Sequence, residues 1–169
     1  MLGAMHTRGE GGLAVNHAEA FRLHSLAARQ GLAEAQHFCG FSLRTGVGVQ
    51  RDDAEAARHW RLAAEQGHEL AEGALAQAFM RGEGVPRDYA EALKLARRAA
   101  EKGDNVGEAI LGGLYANGWG VPRDVREATK WWAKAAAQGS EDAIANLRAF
   151  AAAGEAEAAA ELRHLRLSP

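Results

Sequence analysis

The 169 residues carry a formal net charge of −2 from 20 basic and 22 acidic side chains, which leaves no overall footprint for nucleic acid. The chain holds 39 Ala and 20 Gly against 3 Pro; Ala is the best helix former, and the sparse Val and Ile exclude a sheet-built core. Cys39 is the single cysteine, so no disulfide forms within the chain, and no apolar stretch approaches the ~18 residues of a membrane-spanning helix.

In chain order, Met1 to Gly12 lacks the apolar core of a signal peptide, so a cytoplasmic location is expected. A first unit then runs through Gly9-Glu10-Gly11, Asn16, Ala27-Ala28 and Gly31, with one extra residue between its turn glycines and Asn16. The same marks recur every 36 residues: Gly46-Val47-Gly48-Val49, Gly82-Glu83-Gly84-Val85 and Gly118-Trp119-Gly120-Val121. Asp52, Asp88 and Asp124 keep that interval, as do Ala63-Ala64, Ala99-Ala100 and Ala135-Ala136, and Gly67, Gly103 and Gly139. A fixed period of this length is the mark of a repeat architecture.

Each unit reads as two helices. The first, such as Glu108 to Asn117, sets a large residue beside a tiny one, as in Leu111, Gly112 and Tyr115, or Cys39, Gly40 and Leu43. That pairing suits helices at close approach. The second helix opens at Asn16-x-x-Glu19, Asp52-x-x-Glu55, Asp88-x-x-Glu91 or Asp124-x-x-Glu127. These are capping boxes: the first side chain accepts an N–H of the opening turn, and the glutamate is expected to reach back to the cap N–H. The helix ends at Gly67, Gly103 or Gly139, where a left-handed residue costs glycine no Cβ strain. No unit can bury its apolar face alone, so neighbours must stack into a solenoid. Units are expected at about 1–34, 35–70, 71–106 and 107–142 of one domain over 1–169. Ala143 to Ala153 takes the place of a fifth first helix, with Leu147 at the Leu111 position; Arg148 then blocks close packing, and Glu155 to Leu167 makes a last helix, so 143–169 is a cap.

These motifs resemble the Sel1-like repeat proteins, relatives of the tetratricopeptide repeats. The resemblance is carried by Leu111-Gly112-x-x-Tyr115, Gly82-x-Gly84-Val85-Pro86-x-Asp88, Ala90-Glu91-Ala92, Trp131-Trp132-x-Lys134-Ala135-Ala136 and Gly139. It implies an all-α, right-handed α/α superhelix that acts as an adaptor or scaffold, commonly in bacteria. One subgroup of such proteins resembles β-lactam-binding enzymes and staples each repeat with paired cysteines; a single cysteine disfavours that alternative, a hydrolase. A structural module of a longer polypeptide is the third alternative.

The site reading is a binding surface, with no catalytic residue, cofactor or metal. The glycine turns lack the Lys-Ser/Thr of a phosphate loop, and the histidines form no His-x-x-x-His pair. Cys39 reads as a buried thiol, Trp60, Trp131 and Trp132 as core, and Trp119, between two turn glycines, as an exposed aromatic. First helices line the groove of such solenoids. His37, Phe41 and Arg44 fall on one stripe at i, i+4 and i+7; sister stripes are Gly73, Gln77 and Met80, then Ala109, Gly113 and Ala116. A protein or peptide partner is expected there, anchored by Phe41 and Met80, with Arg44, Arg81, Gln77 and Asn117 supplying hydrogen bonds and Gly113 leaving room.

Overall fold

The 36-residue clock appears as a run of equal helices. The computed structural model describes residues 16–167. Its helices are α1 (His17–Arg29), α2 (Ala33–Thr45), α3 (Asp53–Glu65), α4 (Glu69–Arg81), α5 (Tyr89–Glu101), α6 (Asn105–Asn117), α7 (Val125–Ala137), α8 (Glu141–Ala152) and α9 (Ala156–His164). Each of α1 to α7 has 13 residues. The first helix of the first unit, with Gly9-Glu10-Gly11, lies outside the described residues. The chain divides into two compact units at Arg87 and Asp88.

The repeat's turn chemistry sets each helix end. Asn16, Asp52, Asp88 and Asp124 cap α1, α3, α5 and α7, accepting from Glu19, Glu55, Glu91 and Glu127 N–H at 2.9 to 3.0 Å. The expected return bond from the glutamate is replaced at two of these caps. Asp52 N–H donates to Leu43 O and Asp124 N–H to Tyr115 O, both at 2.9 Å, so these cap donors clamp the second helix to the body of the first. The glutamates turn outward to bases three residues on, as Glu55 does to Arg58 and Glu127 to Lys130. An exposed carboxylate finds a cation there and leaves no buried donor unpaired.

The first helices begin earlier than the sequence expectation, because their caps are not repeated residues. His68, Asp104 and Ser140 each accept a backbone N–H at the start of α4, α6 and α8. Leu32, in the same place before α2, makes no such bond. The last helix stops at His164, short of Leu167, and Arg166 is left-handed with φ 57°.

Two glycines show why the turns need them. Gly139 follows α7 at φ +87°; its N–H bonds Ala136 O, and Ser140 N–H bonds Ala135 O, a paired closure of the helix end. Gly84, at φ +71°, also lies so close to the first turn of α3 that a Cβ would fall on the Asp53 carbonyl. That contact joins the turn of one repeat to the second helix of the repeat before it.

In the first unit α2 packs on α1 and α3, and α4 on α3. Ala28, Ala35 and Cys39 form a buried cluster roofed by Phe21 and Ala27. In the second unit α6 packs between α5 and α7, and α8 and α9 close the stack. Leu147 and Leu162 are fully buried beside Trp132, Ala135 and Ala143, so the C-terminal pair covers an apolar face that would otherwise meet water. Small faces allow this close approach: the place of a Gly112 Cβ is filled by the Trp132 indole, and that of a Gly40 Cβ by the Trp60 indole.

Candidate binding surface

Helix α2 turns Cys39, Gly40 and Leu43 into the core, which leaves His37, Phe41 and Arg44 on the opposite stripe. Phe41 is 47% exposed, a large apolar side chain on the surface. Arg44 is half-buried. Its Nη1 donates to Gln77 Oε1 on α4 at 3.3 Å, a bond from one repeat to the next, and its Cζ lies 5.9 Å from the Trp60 ring centroid. Trp60 comes from α3 and is 3% exposed. Of the expected residues, Arg44 and Gln77 are thus joined directly across two repeats, Phe41 lies one turn away from Arg44 on the same helix, and the Trp60 ring lies beneath Arg44 alone.

On α4, Met80 is half-buried and Arg81 exposed, with Arg81 Nη1 3.8 Å from Glu83 Oε1. Gly73, on the expected stripe, is buried. A 13-residue helix packed on its neighbour shows only part of any stripe to solvent, and Gly73 falls on the covered part.

His37 belongs to a polar cluster that the motifs did not reveal. Its ring stacks on His68 with centroids 5.0 Å apart. His68 Nε2 is 2.8 Å from Glu34 Oε2, while its Nδ1 accepts the Ala71 N–H at 3.4 Å. The bond to His68 holds the Glu34 carboxyl below its ordinary value, and burial pushes His37 down. The signal that could have found this cluster is the period itself: His68 stands where later repeats carry Asp104 and Ser140, both capping residues.

In the second unit, Gly113 faces open space where a Cβ would go, and exposed Asn117 donates its amide to Gly113 O of its own helix at 2.8 Å. Ala116 is 5% exposed and so belongs to the core. Trp119 is 38% exposed and stacks on Tyr89, centroids 5.0 Å apart, at the turn edge. Trp132 is core, with Nε1 donating to Ala109 O at 3.2 Å; Trp131 is half-buried under Lys134 Nζ, 4.1 Å from its ring.

Burial pushes the Cys39 thiol above its ordinary value, and its Sγ lies 3.7 Å from Ser25 Oγ, a setting for an unreactive thiol. Among the described residues no cluster of three His, Cys, Asp or Glu could hold a metal ion, and no helix is long and apolar enough to cross a membrane.

A model of the Sel1 repeat matches residues 1–32, 33–68, 70–104 and 106–140. The chain belongs to the Sel1 repeat family. A Sel1 repeat protein of Oxalobacter formigenes is 32% identical with a TM-score of 0.79; the match covers 98% of this chain and 70% of that one. The c5321 protein of uropathogenic Escherichia coli, a protective antigen with the same fold, is 31% identical with a TM-score of 0.82; this chain spans 36% of its length. Cysteine-rich protein B of Helicobacter pylori, at 23% identity and a TM-score of 0.57, shares the fold. No curated protein matches. The architecture is therefore an all-α repeat superhelix, and Sel1 repeats are in general protein-interaction modules.

Proposed function

We propose that this Sel1 repeat chain is a non-enzymatic adaptor that binds a protein or peptide segment in the groove lined by its first helices. The observation that carries the reading is the surface around Phe41. A ring 47% exposed lies beside a guanidinium held by Gln77 of the next repeat. Aromatic residues, Met and Arg are the side chains enriched at interface centres. Half-buried Met80 adds a flexible apolar contact on α4, and His37 extends the surface toward the N-terminal end of α2. On α6 of the second unit, taken by itself, Gly113 borders open space and Asn117 is exposed.

The test is affinity capture with the whole chain and with Phe41→Ala/Arg44→Ala. Partners held by the first and lost by the second, with helical circular dichroism unchanged, support the groove. Equal capture by both overturns it. The cysteine-rich hydrolase alternative has no observation in its favour, since Cys39 is the only cysteine and is fully buried.

A further inference from the structure

Among the described residues of the first unit, Arg44 is held differently from three other arginines. Arg22, Arg51 and Arg58 of the first unit each fork onto a carboxylate: Glu19, Asp53 and Glu55. Arg44 does not. It is half-buried, its hydrogen bond goes to a neutral amide, and its other partner is the face of an indole. Asp53 feels Arg44 through space. Asp53 is already gripped by both arms of Arg51, at 3.0 and 2.7 Å. A guanidinium partly removed from water without a counter-ion is costly, and one steadied by a ring face at 5.9 Å and an amide is set in position before any ligand arrives.

We propose that the segment bound beside Phe41 carries an Asp or Glu whose carboxylate pairs with the Arg44 fork, next to an apolar side chain seated on Phe41 and Met80. The inference rests on the groove reading above and adds the charge of the occupant. A carboxylate is favoured over a phosphate because its single charge and planar pair of oxygens match one guanidinium. Phosphorylated segments are usually held by clusters of Arg, and the adjacent Arg81 is turned toward Glu83. Phe41, Gln77 and Met80 are uncharged, and burial lowers the pKa of His37 on the same stripe, which favours its neutral form, so selectivity for acid would come from Arg44.

The test is selection of random dodecapeptides by display on the whole chain, with synthetic copies of the selected peptides measured by fluorescence anisotropy. The expected result is enrichment of an Asp or Glu adjacent to an apolar residue. Arg44→Gln should weaken these peptides about tenfold, the loss of one charge-assisted hydrogen-bonded pair. Arg44→Lys should recover only part of that loss, because an ammonium lacks the fork. Replacing the peptide's acid by its amide should match the loss on wild-type protein and cost nothing further on Arg44→Gln. Peptides that bind through Phe41 without acidic enrichment, and without response to Arg44→Gln, overturn the acidic occupant and leave the groove standing. Peptides indifferent to Phe41→Ala as well remove both. A phosphoserine peptide that binds more tightly than its glutamate counterpart overturns the carboxylate in favour of a phosphorylated partner.

Discussion

Gly112 and Trp132 fit as a pair: the indole of one occupies the space that a side chain on the other would need. Gly40 and Trp60 repeat the relation one unit-pair earlier, whereas the corresponding residues in the intervening repeat are Ala76 and Ala96. At both places the large residue faces a position without a side chain. Gly112→Ala should therefore destabilise the chain by about 1–2 kcal/mol, although Ala is the better helix former. Trp132→Ala should cost about 3–5 kcal/mol. In the Trp132→Ala background the sign at position 112 should reverse, with Ala stabilising by about 0.5–1 kcal/mol through propensity. Urea denaturation of the four proteins measures the cycle; additive effects would show that the two residues are not coupled.

That coupling also shows how the sequence could be read and where it could not. Helix pairs, turn glycines and caps follow from period and turn chemistry, because the same local physics acts in every unit. The residues that differ between units are less legible. Asp52 looks like half of a reciprocal capping box, but its N–H is taken by Leu43 O, a partner nine residues upstream that local pattern does not weigh. Arg44 meets Gln77 because two repeats stack with one register. The stripe was visible in the spacing. The indole floor beneath Arg44, and the His37–His68–Glu34 cluster, depend on side chains from three helices and carry no motif.

Two turn glycines should separate backbone conformation from contact. Both Gly139 and Gly84 are left-handed, at φ +87° and +71°. A Cβ at Gly139 meets nothing, so Gly139→Ala should cost only the left-handed strain, about 1 kcal/mol. A Cβ at Gly84 would strike the Asp53 carbonyl, a backbone group that cannot turn aside. Gly84→Ala should therefore cost about 3 kcal/mol or more. Equal losses for the two variants would contradict the contact between repeats.

Glu108 is 5% exposed and accepts from Gln138 Nε2 at 2.8 Å. Burial pushes its carboxyl above the ordinary value, while the Gln138 bond and Lys134 pull against that rise. The folded chain thus holds this proton more tightly than the unfolded chain. The associated stability is present below about pH 4.3 and is lost as pH rises through the folded value. One repeat-pair earlier the same place is filled by Gln36, which accepts from Gln66 at 2.8 Å. Glu108→Gln should reproduce that neutral pair, raise stability at pH 7 by about 0.5–1 kcal/mol and remove this pH dependence. A loss of stability at pH 7 would show that the charge, through Lys134, is favourable in place.

The first unit should be acid-labile in a window that Glu108 does not explain. Burial lowers His24, His37 and His59 from the ordinary value of about 6.5. Glu34 from α2 opposes this at His24 and His37, Glu55 opposes it at His59, and neighbouring His68 adds to it at His37. Below about pH 6.5 the unfolded chain takes up protons that the folded unit resists, so stability must fall as pH falls toward the folded values. The effect is best measured in the Glu108→Gln background, where the opposing carboxyl is gone. The urea midpoint should drop between pH 7.5 and 5.5, and amide exchange should quicken first in α1 to α3. His37→Gln should flatten the drop, since an amide has nothing to titrate. A midpoint that holds steady or rises over that range would show that these imidazoles protonate without cost, and that their burial is not what sets their charge.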